Sequence, residues 1–313
     1  MNLTRRDFGR ICTAGLLFPA ALRSALGSGT LTWEGRPLSG TGGERRYRAD
    51  AQVVLFSIPV LHRTGVGDGS VAWHDSESAG RAVRLLEFTG RSLPQRAAGL
   101  NRLGFIRELS EQAAPAAPRS LYFGLMTSSP EESADEARKA LHSKAAEASY
   151  SAIEGRIGEG SMETVSAHFM APASLSSAEN AELVERARQA LSGVPKRTAP
   201  LAPPSDSVRP FLHALAELLI RPGEARYVYA GRFYRLRVER SADSKATALF
   251  RSRGLLRASA KALRIDGRLH REEGGKLTDF RLWIEKGSPR PLPLRIEFQP
   301  RSYLRLTFEA ETA

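Results

Sequence analysis

The side chains able to do chemistry are few and scattered. Of the six histidines, His62, His74, His142, His168, His213 and His270, no two share the spacing by which a helix or strand holds a metal ion. His213 falls on the apolar side of an expected helix and reads as a satisfied core or boundary residue. The single cysteine, Cys12, lies close to the amino terminus, so the rest of the chain offers no thiolate cluster, disulfide or cysteine nucleophile. No Gly-x-Ser-x-Gly elbow occurs. The stretch Gly65-Val66-Gly67-Asp68-Gly69 is superficially like a phosphate-cradling loop, but no helix opening with Lys-Ser or Lys-Thr follows, and a turn is expected. What remains is a set of strand arginines, Arg232, Arg235, Arg237, Arg295 and Arg305. Residues two apart on a strand share a side, so these form a candidate face for an anionic ligand. Alternating solvated positions give the same pattern without any ligand. No catalytic residue, metal ligand or cofactor emerges, and Trp33, Trp73 and Trp283 read as packing residues rather than stacking platforms.

The elements that would position these residues are mostly strands. From Phe280 to Phe308 three runs alternate apolar and polar residues: Phe280, Leu282 and Ile284; Leu292, Leu294, Ile296 and Phe298; Leu304, Leu306 and Phe308. Their connections are too short for parallel crossovers, so an antiparallel meander follows, with Leu294 and Ile296 facing the core and Arg295 and Glu297 facing water. Upstream, a long strand is expected from Arg46 to Pro59, buried on both sides at its far end. Further strands are expected at Ala82–Phe88, Leu103–Leu109 and Ser120–Met126, then a hairpin of Tyr150–Ile157 and Met162–Met170. Ser129-Pro130-Glu131-Glu132 starts a surface helix running to about Leu141. Ser176 caps a second helix with Leu183, Val184, Ala187 and Leu191 as its stripe, ended by Gly193. Residues 195–204 read as a proline-rich strap, followed by a buried helix from about Val208 to Ile220 with Ser207 as cap. The remainder is read as β-rich, with strands through Tyr227, Tyr234 and Ala246–Phe250 and a hairpin turning at Asp266-Gly267.

Length and charge bound the rest. A chain of 313 residues has ample material for a core, and its formal net charge of +12 favours anionic partners without naming one. No specific nucleic-acid recognition is expected. Arg5 and Arg6, with Phe8 two places later, precede a weakly apolar run from Ile11 to Leu22. This resembles a twin-arginine export signal, implying a periplasmic or otherwise exported protein that passes through the twin-arginine machinery. The apolar run is shorter than the roughly 20 residues a spanning helix needs, so no transmembrane anchor is expected after cleavage. Residues 1–27 are thus expected to be signal, 28–43 a flexible glycine-rich leader, and 44–311 one mainly β domain. Its antiparallel sheet should be strongly curved or open-barrel-like, with two or three packed helices and a helical, proline-rich middle at about 129–220.

Leu219-Ile220-Arg221-Pro222-Gly223-Glu224, Arg281-Leu282-Trp283-Ile284 and Pro291-Leu292-Pro293-Leu294-Arg295-Ile296-Glu297-Phe298 together resemble the DUF3108 family of exported bacterial proteins. Phe56-Ser57-Ile58-Pro59-Val60 is similar to that family's opening strand, with its Gly-Ile-Pro-Val-Gly altered. The resemblance is best over 207–310, and the longer middle, 113–205, departs from it. It implies an exported, curved β domain of unknown activity and supplies no functional residues. Three functions follow as expectations. The first is a non-enzymatic envelope scaffold binding a lipid-like or amphipathic molecule or an envelope polymer. The second is a periplasmic hydrolase or glycan-processing enzyme, and the third a polyanion-binding assembly factor.

Overall fold

The computed structural model describes residues 32–33, 36–37, 40–55, 58–78, 80–97, 101–112, 119–128, 147–158, 160–173, 180–201, 208–274, 277–301 and 304–312. The export signal with Arg5, Arg6, Phe8 and Cys12, the helix expected at 129–141, His142 and the cap at Ser176 lie outside these residues. The described chain is mainly β. A two-stranded pair, β1 (Thr32–Trp33) and β2 (Arg36–Pro37), precedes a 15-stranded sheet. That sheet contains β3 (Gly40–Leu55), β4 (Ile58–Ser78), β5 (Arg81–Ser92), β6 (Leu103–Glu111), β7 (Ser120–Thr127), β8 (Glu147–Ile157) and β9 (Ser161–Pro172). Helix α1 (Asn180–Ser192) and strand β10 (Arg197–Pro200) follow, then β11 (Val208–Pro210), α2 (Phe211–Ile220), β12 (Gly223–Tyr229) and β13 (Arg232–Ala242). Helix α3 (Ser244–Ser252) leads to β14 (Ala262–Arg271), β15 (Thr278–Glu285), β16 (Arg295–Arg301) and β17 (Leu304–Ala310).

The strand order is β10-β9-β8-β7-β6-β5-β4-β3-β17-β16-β15-β14-β13-β12-β11. All pairs are antiparallel except β11–β12. Most of these strands turn back on the strand before them in the chain and so pair antiparallel, whereas β11 and β12 are joined across α2. The expected meander is therefore present as β15–β16–β17, and β17 then pairs with β3 to join the two halves of the chain.

The sheet curls around α2. Ala214, Leu218 and Leu219 of that helix pack on Tyr227, Leu236, Ile265 and Leu282 of one wall. At its start, His213 N–H donates to Glu108 Oε2 of β6 at 3.1 Å, on the opposite wall. The ends of the roll do not pair edge to edge. They overlap instead, with Ile153, Ile157 and Met162 of β8 and β9 packed on Val208, Val228 and Phe233 of β11–β13. Two helices lie on the outside. Leu183, Ala187 and Leu191, four residues apart, seat α1 on Phe105, Leu125 and Tyr150, and Phe250 seats α3 on Trp283 and Leu294.

Several local expectations fail for identifiable reasons. Gly65–Gly69 is not a turn but lies inside β4, and residues 40–43 of the expected leader begin β3. Asp266-Gly267 lies in mid-strand in β14 rather than at a hairpin. In each case an aromatic ring replaces the missing side chain. A Cβ on Gly267 would fall 2.1 Å from the Phe280 ring, one on Gly69 3.1 Å from Phe308, and one on Gly43 2.8 Å from Trp73 Nε1. Rings laid across glycines restore the packing that glycine denies a strand.

Ala246–Phe250 is helical, because Asp243 caps α3 by accepting the Ala246 N–H at 2.8 Å. Helix α2 starts at Phe211, not Val208, since the residue before Pro210 is biased to extended backbone and Val208–Pro210 pair with β12. The described part of the proline strap contains an edge strand, β10. At the far end of β3 Val54 is buried and Val53 half-buried, and the side chains of residues 55–59, on which the expected two-sided burial also rests, lie outside the description. Finally, Leu294 precedes β16 and joins the outer cluster with Trp283, whereas Ile296 faces the interior. Trp283 is thus buried on the side expected to be wet, because α3 covers it.

Candidate functional site: an interior open at one end

Cross-strand partners share a face, so the registers trace what lines the roll. One row runs Phe298, Leu306, Ala51, Arg63, and another runs Ile296, Phe308, Ala49, Gly67, Ser92. A third runs Gly69, Gly90, Gly104, Met126, Ser151, His168. All lie on the side that α2 occupies. The helix fills the half of the interior next to the β13–β14 and β15–β16 connections, where Leu236, Ile265 and Leu282 are fully buried.

The other half, towards the β3–β4, β5–β6 and β16–β17 connections, is lined differently. Phe88, Ile106, Phe298 and Leu306 are only half-buried there. Phe298 stacks on Phe308 at 6.2 Å, and Phe88 meets Phe308 edge-on at 6.0 Å. Gly69, Gly90 and Gly104 form a row on the same face, and the Phe308 ring covers the first two, 3.1 and 3.2 Å from where their Cβ atoms would be. Half-buried rings on the inner face of a curled sheet leave apolar surface that a guest can cover.

The filled half is polar where α2 begins. Glu108 is 1% exposed, and the backbone N–H groups of Phe211, Leu212 and His213 donate to its carboxyl. Burial nevertheless dominates and pushes Glu108 up to about 8. His213 is buried beside it, with Nε2 3.4 Å from the Glu108 carbonyl oxygen, and burial lowers the imidazole to about 3. Burial also raises Tyr122, Tyr227 and Tyr229 nearby, with the carboxyl of Glu108 adding to it. These groups hold a helix in a wall. At the closed end, Arg290 stacks on Trp73 at 4.4 Å and pairs with Asp75, which Arg84 also holds at 2.6 Å. Burial raises Asp75, but the two guanidinium groups outweigh it and leave the carboxyl below its ordinary value.

No family model matches the chain. No curated protein matches it either. Among solved structures it is similar to the crystal structure of a beta-barrel-like protein of domain of unknown function DUF1849 from Brucella abortus. The identity is 7% and the TM-score 0.42, over 86% of this chain and 96% of that one.

The five arginines expected to form an anion-binding face are partly brought together. Arg235, Arg237, Arg295 and Arg305 share the outside of the β13–β17 wall, while Arg232 sits at the β12–β13 turn. Carboxylates accompany three of them. Arg235 pairs with Glu224 at 2.8 Å, Arg237 with Glu239 at 3.1 Å and Arg295 with Glu297 at 2.6 Å, while Arg305 donates to Gln52 at 3.5 Å. A shallow groove of about 620 Å³ crosses this wall, lined by Glu239, Asp266, Arg268, Arg281, Glu297 and Arg305. Its charge alternates in sign. Among the described histidines, His62 faces Asp50, His168 Nδ1 meets Ser151 Oγ at 2.9 Å, and no group of three metal-ligating His, Cys, Asp or Glu residues forms.

Sequence reading missed Glu108 and the interior glycine row. An acid in an alternating strand looks solvated, and glycines in a strand look like turns. The one available signal was the recurrence of glycine beside Phe88 and Phe105, in Phe88-Thr89-Gly90 and Gly104-Phe105.

Proposed function

We propose that this protein is an exported, non-enzymatic β scaffold that holds an amphipathic, lipid-like molecule in the open half of its interior. One observation carries the reading: beyond α2, on the face of the sheet that the helix occupies, the apolar side chains of Phe88, Ile106, Phe298 and Leu306 are left half-buried. Apolar surface left half-exposed in a concavity gains free energy when an apolar guest covers it, by about 25 cal/mol per Å². The buried acid and imidazole are spent on the start of α2. Export rests on the twin-arginine pattern at Arg5 and Arg6, and kinship with DUF3108 on the three quoted segments.

The test is to express the full chain, purify it from the periplasmic fraction, extract it with organic solvent and identify the extract by mass spectrometry. Lipid in a fixed ratio to wild type is expected, and much less from Phe298→Glu, which puts a charge on the half-buried apolar face. Lipid-free wild type that also takes up no added amphiphile would overturn the scaffold reading. A protein confined to the cytoplasm would remove the export half alone.

A further inference from the structure

We propose that His168, Met126 and Met170 form a binding site for a soft monovalent metal ion, Cu(I), on the inner face of the sheet. The cross-strand row Met126–Ser151–His168 puts the first and last of these on one face of β7 and β9, with Ser151 of β8 between them. Met170 follows His168 by two residues along β9 and therefore shares that face. Two strand spacings, about 10 Å, separate the backbones at Met126 and His168, and two residues of rise, about 7 Å, separate His168 from Met170. Methionine has three rotatable side-chain bonds, so a thioether on either side can close on an ion held by the imidazole between them.

The exposure of these residues is the first argument. Further back on the same face, Tyr122 and Met162 are buried against Val228 and Tyr229, the Tyr229 hydroxyl lies over Gly124, and Gly231 meets Thr164. Past the β12–β13 turn that cover ends. Met126 is 38% and Met170 54% exposed, with His168 exposed between them. Two apolar side chains thus stand in water on either side of one imidazole, where core packing gives no reason for them. The second argument is how the ring is held. His168 Nδ1 lies 2.9 Å from Ser151 Oγ, which lies 2.7 Å from Ser128 Oγ. With Nδ1–H donating to Ser151 and the Ser151 hydroxyl donating to Ser128, Nε2 is the ring nitrogen left to bind a metal, and the ring is oriented as ligating histidines are. Ligand chemistry then chooses the ion. Thioethers are neutral and polarisable, which suits Cu(I) and gives little to Zn(II), Mg(II) or Ca(II), and none of the three residues is a carboxylate.

The experiment titrates the full chain, carrying Cys12→Ser so that its single thiol contributes nothing, with Cu(I) under anaerobic conditions with ascorbate. Bicinchoninate competes for the ion, and the colour of its copper complex reads the fraction left unbound. One equivalent is expected to be withheld from the chelator. On that background Met126→Leu and Met170→Leu, which conserve volume, should each weaken binding several-fold, and His168→Gln about tenfold or more. Ser151→Ala, which frees the ring without removing a ligand, should cost about tenfold and leave the coordinating atoms unchanged. X-ray absorption at the copper edge should show sulfur and nitrogen neighbours before the methionine substitutions and less sulfur after each. All four positions lie at the open end of the roll, and circular dichroism checks that the variants keep their fold. No copper withheld from the chelator, or binding that survives all of these substitutions, would overturn the site. So would a coordination sphere of nitrogen and oxygen alone, or Zn(II) displacing Cu(I) at equal concentration, since either would mean that the thioethers are not ligands. Lipid extraction from the same variants is independent of these outcomes, because the site does not rest on the scaffold reading.

Discussion

Glu108 is held inside the roll by three backbone N–H groups at the start of α2, yet burial wins and its carboxyl rises to about 8 from 4.5. In the folded protein it is protonated at pH values where the unfolded chain has lost that proton. Its contribution to stability is therefore complete below pH 4.5 and is lost as pH rises towards 8. His213 acts in the opposite sense. Its imidazole is depressed from 6.5 to about 3, so its contribution is present above pH 6.5 and lost as pH falls towards 3. Between pH 4.5 and 6.5 the two slopes oppose each other, and stability should be nearly flat. From 6.5 to 8 only Glu108 titrates, and stability should fall by about 1.4 kcal/mol per pH unit. Urea unfolding at pH 6.5 and pH 8 checks this, with Glu108→Gln expected to flatten the decline. If wild type and Glu108→Gln lose the same stability over that window, the assignment of the slope to Glu108 is wrong. None of this was readable in Arg107-Glu108-Leu109, where an acid between an arginine and a leucine looks like any solvated strand position. His213 was readable as a core residue because it lies among Phe211, Leu212, Leu215 and Leu218 at helical spacing.

Strands were legible wherever a hydrophobic alternation ran unbroken, as in β5–β9 and β15–β17, because period two admits one answer. Legibility failed where a residue's ordinary local meaning was overridden from elsewhere in the chain. Gly267 signals a turn locally, but the Phe280 ring from the neighbouring strand covers it. Trp283 and Leu294 are adjacent to the meander's wet face, but α3 arrives and buries both. The meander therefore has two cores, one on each side, and this changes what substitutions should do. Leu294 is 0% exposed, so Leu294→Asp buries an unpaired carboxylate and should prevent folding, a cost of several kcal/mol. Arg295 is not a plain surface residue. It pairs with Glu297 and Glu309 and lies 5.3 Å from the Trp283 ring. Arg295→Asp leaves those two acids facing a third and should cost about 1–3 kcal/mol, well above an ordinary surface change. Thermal unfolding of both variants checks the order. Equal loss in the two, or no loss in Arg295→Asp, would show that the outer cluster under α3 does not hold the meander.

At the scale of the whole molecule the sheet is open in its hydrogen bonding but closed by packing. Its edge strands β10 and β11 never pair with each other, yet they approach because Leu201, just after β10, and Val208, at the start of β11, enter the same cluster as Ile153, Ile157, Met162 and Val228. Tyr122 Oη and Thr164 Oγ1, 3.0 Å apart, and the Tyr229 hydroxyl over Gly124 extend the overlap. The proline-rich stretch 195–204 is read from sequence as a strap within one domain. Its described part, 195–201, lies where the two ends of one roll meet, and the halves are also joined through β3–β17, so neither half buries its own faces alone. We therefore expect residues 44–311 to behave as one cooperative unit. Limited proteolysis cutting within 195–207 should leave two pieces that stay associated under native conditions. Separated in denaturant, neither should refold to a protease-resistant state, because β8 and β9 would expose Ile153, Ile157 and Met162, and β12 would expose Val228. A fragment ending near residue 200 that refolds alone, with cooperative thermal unfolding, would show instead that the overlap is a contact between two independent domains.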